Sequence, residues 1–393
     1  MEARSRQSQG QPGYPRSAIW GGRALTQRNN SWSWSTVAFA IFLTVITTLV
    51  GRYVNRLANQ VDHFGYIPNP AATAEFLSEL QQPRFAQAGE DCMRNVVKKD
   101  TFLWRYAEEA HMSVYGKPFT LWNQGSAGTC VSFGWALGSY IGQSVDWKQG
   151  QQPKPPLLVA TEPIYAGSRT LGRMPPVTNA GYSDGSYGGA AARWVAGKCR
   201  DPSVGGIVYR EVIGKYDLSK YSISMSREWG ANGPPREIAT LAADHRALAV
   251  AQVTTWEELV AAITAGYCVP ICSNVGFAAT NVRDKDGYLP RGGQWNHCML
   301  VCGIRFADGP GKRDGACVAN SWGLTWVSGG KFPPDQPDGS FWVTRSDIEA
   351  ILKQGDSFAI GGVAGFPWRE LEHREWMTPQ PLSLKAVSHA LAL

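Results

Sequence analysis

The rhythm of apolar and polar positions divides this chain into stretches with different structural expectations. Residues 1–31 hold no apolar period and are rich in Gln, Ser, Gly, Pro and Arg, the composition of a disordered tail. Val37 to Val50 is uncharged and mostly apolar, and with flanks from Trp32 to Gly51 it reaches a bilayer-spanning length. Ala71 to Leu80 has a helical pattern, as do the apolar run that follows Cys130 and the run Ala190–Val195. Thr255-Trp256-Glu257-Glu258 is a capping box, and the helix that it opens runs through Leu259 and Ile263 to Gly266, a C-cap residue. Beyond it the period shortens. Tyr267–Ser273 is a β-rich run in which Pro270 argues for an edge or a bulge. Strand patterns recur at 298–303, 316–319, 339–343 and 358–360, and the Gly- and Asp-rich segment 308–315 is a hairpin turn. Helices therefore prevail before about residue 200 and strands after about 265, which is an α+β arrangement.

Composition narrows the function classes without choosing among them. The 393 residues allow two or three domains by size. A net charge of +6 over that length, with no basic block, gives no nucleic-acid signature. There is no internal repeat, no phosphate-binding loop, and no Cys-x-x-Cys or His-Glu-x-x-His pattern, so neither a metal nor a cofactor is expected.

The chemistry concentrates in three places. In Asn123-Gln124-Gly125-Ser126-Ala127-Gly128-Thr129-Cys130 a thiol stands at the start of a helix, where backbone N–H groups and the helix dipole favour the thiolate. Gln124 is placed to donate an N–H to an oxyanion formed by attack of that thiol. Of the six histidines, His297 sits where a Gly-rich loop meets an apolar strand, so its imidazole is held by a rigid element. A short strand then delivers Asn320, an acceptor able to fix the tautomer of a neighbouring imidazole, with Trp322 and Trp326 close behind. The turn at 308–315 makes the two strands neighbours and so brings His297 and Asn320 together. A buried structural cysteine, a core histidine and a turn asparagine are the bland alternatives for each residue taken alone.

Taken together, Gln124, Cys130, His297 and Asn320, in that order, resemble the papain-like cysteine peptidases. The Gln-Gly-Ser-x-Gly-x-Cys run at 124–130 and the Asn-Ser-Trp-Gly run at 320–323 carry the resemblance, which covers roughly residues 115–366. It implies a two-lobed fold, a helical lobe plus an antiparallel β-barrel-like lobe, with the active site in the cleft between them. It also implies cleavage of peptide bonds by Cys130, His297 and Asn320, with Gln124 in the oxyanion hole. Trp322 would cover the His–Asn bond, Gly188 and Gly189 would pair with an extended substrate, and Cys298 would line the main specificity pocket. A thiol there suggests a roomy, apolar pocket and an apolar residue second before the scissile bond. The partner implied is a protein or peptide substrate.

The chain departs from the family pattern in several places. His297 follows Cys130 by 167 residues and Asn320 follows it by 190, against about 130–150 in the family; loop insertions explain a surplus of this kind. Ala127 and Ser186 stand where the family usually has a disulfide, and Val131 replaces an aromatic residue. The expected organisation is a basic tail at 1–31, a transmembrane signal-anchor at 32–54, a linker or short pro-region at 55–114, the peptidase domain at 115–366 and a tail at 367–393. Arginines before the apolar run favour an extracytoplasmic enzyme, anchored in the membrane or secreted if the segment is cleaved. Outside the cytoplasm Cys92, Cys199, Cys268, Cys272, Cys302 and Cys317 become disulfide candidates, with no pairing implied. Two other functions remain open: a catalytically inactive papain-like binding module, and a Cys/His hydrolase of cell-wall peptides.

Overall fold

The fold turns on one helix and one strand. In the computed structural model, which describes residues 62–63, 65–174, 184–247, 249–277, 281–308, 312–362 and 365–371 together with Phe39 and Thr44, the central helix is Cys130–Lys148 and the long strand is Arg291–Arg305. The central helix is buried along most of its length, from Cys130 through Tyr140 and Ile141 to Val145. It can be buried because small residues let neighbours approach. A Cβ at Gly138 would lie 2.9 Å from Ile360 and 3.0 Å from Leu300, and one at Gly134 would lie 3.2 Å from the Cys298 sulfur. Helices Trp104–Tyr115, Thr161–Leu171, Gly188–Val195 and Ile223–Asn232 complete the helical lobe.

The long strand organises the other lobe. Val269–Phe277 and Gly315–Ala319 flank it antiparallel, and Ser340–Thr344 extends the sheet beyond 315–319. Ten of its positions, Trp295 and those from His297 to Arg305, are buried, which is why the sequence reads there as a continuous apolar run. The α+β, two-lobed plan is the one that the sequence implies. The strands on either side of 308–315 pair antiparallel as expected: Leu300 stands opposite Ala319 and Arg305 opposite Gly315. The capping box is present too, with Thr255 accepting from the Glu258 N–H and the Glu258 carboxylate returning to the Thr255 N–H. The helix closes at Ala265, one residue before Gly266, which adopts φ +89°.

The segment before the expected domain boundary belongs to this unit. Asp62–His63 runs parallel to the long strand at Trp295–Asn296, and Thr101–Phe102 pairs antiparallel with it at Gly303–Ile304. Helix Trp104–Tyr115 buries Trp104, Tyr106, Ala107, Ala110 and His111. Arg369 and Leu371, past the expected end of the domain, are buried as well.

Two expectations are corrected. Among the described residues no helix is long and apolar enough to cross a membrane. The longest, Cys130–Lys148, carries Ser132, Ser139, Gln143, Ser144, Asp146 and Lys148 along its length. The anchor expected at 32–54, with the membrane contact and the localisation drawn from it, is therefore withdrawn; apart from Phe39 and Thr44 that segment lies outside the described residues, as does the tail at 1–31. The eight cysteines are all free thiols, so the disulfide candidates form no bridge.

Candidate active site

Cys130 is the first residue of the central helix, and its sulfur accepts the N–H of Cys298 at 3.4 Å from the long strand. The loop that leads to it is fixed on two sides. The Gly128 N–H donates to Asp184 at 2.8 Å, and the Gln124 side-chain nitrogen donates to the Ala127 carbonyl at 2.9 Å.

His297 and Asn320 meet as the hairpin requires. The His297 Nε2 lies 2.7 Å from the Asn320 Oδ1, which also accepts the Ser321 N–H at 2.7 Å. That oxygen can only accept, so Nε2 carries the hydrogen and Nδ1 the lone pair. Trp322 lies over this bond, its ring centre 4.7 Å from that of His297, and Trp295 and Trp326 back it at 4.8 and 5.0 Å.

The two motifs, far apart in sequence, are stitched together. Gln124 N–H donates to Ser321 O at 2.8 Å, Gly323 N–H donates to Trp122 O at 3.2 Å, and the Ser321 hydroxyl donates to the Gln124 side-chain oxygen at 2.6 Å. Gln124, Cys130, His297 and Asn320 are all buried. A thiol, an imidazole with a fixed tautomer and a carboxamide on one rigid frame are a set suited to acyl transfer.

The electrostatics differ from the expectation of a thiol depressed by its helix start. Burial pushes the Cys130 thiol well up, Cys298 adds to the rise, and the N–H groups of Cys298 and Val131 only partly oppose it. Burial also lowers His297 to about 4, against a small upward push from Asn320. Both groups are neutral here, because neither charge has water around it.

What removes the water is the chain itself. Gly65-Tyr66-Ile67 runs between the two walls of the site. Tyr66 N–H donates to Asn296 O at 3.1 Å on one wall; Ile67 N–H and Gly65 O exchange 2.8 Å bonds with Ser186 on the other. Gly65 is required: its φ is +115°, and a Cβ there would lie 2.2 Å from the Gly128 oxygen. The Tyr66 ring is buried beside Cys272 and Cys298, and its hydroxyl bonds to the Asp356 carboxylate. Asp356 is held near pKa 6 by burial, although it accepts N–H groups from Gly188 and Gly189 at 2.7 and 2.8 Å and a hydroxyl from Thr73.

These contacts redistribute the roles expected of the cleft. Gly188 and Gly189 start a helix and give their N–H groups to Asp356, and the backbone paired with Gly65–Ile67 is that of Ser186. Cys298 and Asp356 both lie beside the Tyr66 ring, so its surroundings are partly polar. The sequence around Asp356 carries no motif. The one signal was Gly188-Gly189 at a helix start, where exposed N–H groups need an acceptor.

No family model and no curated protein matches the chain. Among solved structures it is similar to xylellain, a cysteine protease from Xylella fastidiosa, at 17% identity, covering 78% of this chain and 98% of that one with a TM-score of 0.49. It is also similar to bromelain from Ananas comosus in complex with the E64 inhibitor, at 14% identity over 68% of this chain and 100% of that one with a TM-score of 0.40. The digestive procathepsin L 3 of Tenebrio molitor is 13% identical over 85% of this chain and 94% of that one, with a TM-score of 0.40.

Proposed function

We propose that this chain is a papain-like cysteine endopeptidase held closed by its own residues 65–67. The observation that carries the reading is the 2.7 Å bond between His297 and Asn320 on the strand whose next residue, Cys298, donates to the Cys130 sulfur. When Gly65–Ile67 leaves, water enters and the cost of charge at Cys130 and His297 falls. Cys130 then gives its proton to His297, and the thiolate attacks the peptide carbonyl. The Gln124 side chain and the Cys130 N–H hold the oxyanion. His297 protonates the departing amine and leaves a thioester on Cys130. A water that His297 deprotonates hydrolyses the thioester and restores the thiol. Asn320 keeps the imidazole in register, and Trp322 keeps water from their bond.

Tyr66 also suggests what the neighbouring pocket accepts. A phenol fits there with its hydroxyl on Asp356, so peptides offering Tyr to this pocket are cleaved in preference to those offering Leu, and Asp356→Ala removes the preference.

The test is labelling by a thiol-directed epoxide. Gly65→Val, whose side chain has no room against Gly128, frees the site, and the reagent then modifies Cys130. If Gly65→Val neither labels nor cleaves an unfolded protein, the chain is a binding module. Release of amides from purified cell wall, without cleavage of unfolded protein, would point to the cell-wall hydrolase instead.

A further inference from the structure

The C-terminal half of the central helix borders a second cavity, remote in sequence from Cys130. Ser139, Gly142, Gln143 and Asp146 fall at i, i+3, i+4 and i+7 on one helical face and line a space of about 410 Å³. This is within the range of small-ligand pockets. Ile207, Tyr267 and Ile360 supply apolar wall.

Three features mark this space as a site. Its polar wall is ordered in advance: the Tyr209 hydroxyl donates to Gln143 at 2.7 Å, and Gln143 donates to the Ser139 carbonyl at 3.1 Å. The Ser139 hydroxyl is buried behind this wall without a hydrogen-bond partner, a costly state that is relieved when the hydroxyl turns toward a polar ligand atom in the cavity. Charges of both signs also line the space. One Asp146 oxygen takes the Arg369 guanidinium, while the other faces Gly362, where a Cβ would stand 3.3 Å away. Arg246 bonds only to the Gly205 and Pro202 carbonyls and has no carboxylate partner among the described residues. His245 stands beside it, its ring 4.9 Å from that of Tyr209.

We infer that this cavity binds a small zwitterion with an apolar side chain, a free amino acid or a dipeptide. The ammonium goes to the second Asp146 oxygen, the carboxylate to Arg246 and His245, and the side chain to the Ile207–Ile360 wall. A carboxylate alone leaves the second Asp146 oxygen without a donor, and an amine alone leaves Arg246 without a carboxylate, so both charges are needed on one molecule.

Equilibrium binding to the full chain tests this with four probes: leucine, leucyl-leucine, leucinamide and N-acetyl-leucine. Leucine or leucyl-leucine binds with a Kd of about 1 mM or tighter, and the two probes lacking one charge bind at least roughly tenfold more weakly. Which of leucine and leucyl-leucine binds better tells a free amino acid from a peptide. Gly142→Leu places a side chain where a Cβ meets nothing within 4 Å; it fills the cavity and abolishes binding, with the fold checked by its melting curve. Arg246→Gln weakens leucine roughly tenfold and leaves leucinamide unchanged. The inference is overturned if none of the probes binds, if leucinamide binds as well as leucine, or if both variants bind like the wild type. No step involves Cys130, so the outcome is independent of the peptidase reading.

Discussion

The two ends of the central helix border two hollows of opposite character. At its N-terminus the hollow beside Cys130 is filled by Gly65–Ile67, dry, and neutral because burial suppresses both charges. Along its C-terminal half the hollow beside Ser139 and Asp146 is open and carries both signs of charge. The contrast teaches that burial decides the state of a reactive group more strongly than helix position does. Cys130 has the favourable helix start and still holds its proton. Asp146, on the partly open side and next to Arg369, is raised by burial too, with the Arg369 guanidinium opposing.

The sharpest way to break the comparison is to remove the chemistry from the filled end. In the Gly65→Val background, Cys130→Ala should lower peptide hydrolysis at least about 10⁴-fold and eliminate epoxide labelling. Persistent labelling would place the nucleophile elsewhere. Gly65→Val alone should raise the rate of Cys130 labelling about 10–100-fold, because the three backbone bonds of the segment are lost with it. An unchanged rate would mean that the segment does not govern access.

Acid tests the dry end without opening it. His297 is lowered to about 4, so the unfolded chain takes up a proton that the folded site refuses, and this contribution to stability falls as pH drops from 6.5 toward 4. Asp356 is raised to about 6, so its contribution has the opposite sign: stability rises as pH drops from 6 toward 4. Relative to wild type, Asp356→Asn should therefore lose stability across that window and His297→Gln should gain it, each by on the order of 2 kcal/mol. Melting curves at pH 4, 5, 6.5 and 7.5 measure this, and parallel curves for all three proteins would refute it. The smallest effect belongs to the open end. Gly142→Leu replaces a helical glycine and should stabilise the fold by about 0.5–1 kcal/mol; a lower melting temperature would show that its side chain meets neighbours rather than space.

What could be read from the sequence was what depends on near neighbours. Thr255 and Glu258 are three residues apart, and a cap needs nothing else. The antiparallel pairing of 300–305 with 315–319, two strands close in sequence, brings His297 beside Asn320. What could not be read depends on distant partners of ordinary type. Gly65–Ile67 reaches Asn296 and Ser186 through backbone atoms, which every residue has. Asp356 reaches Gly188 and Gly189 only after the chain has folded. The Cys130 thiol departs from its helix-start expectation for the same reason: the helix start is local and visible, whereas the dryness comes from a segment 65 positions away.

The stitches between Trp122–Gln124 and Ser321–Gly323 have a mechanical consequence. They join the loop before Cys130 to the loop after Asn320, so the two motifs share a clamped edge. A jaw clamped at one edge swings about that edge, and parts lying close to the pivot travel least. Cys130, six positions after Gln124, and His297, bonded to Asn320 beside Ser321, lie close to that edge, so their alignment is tied to it.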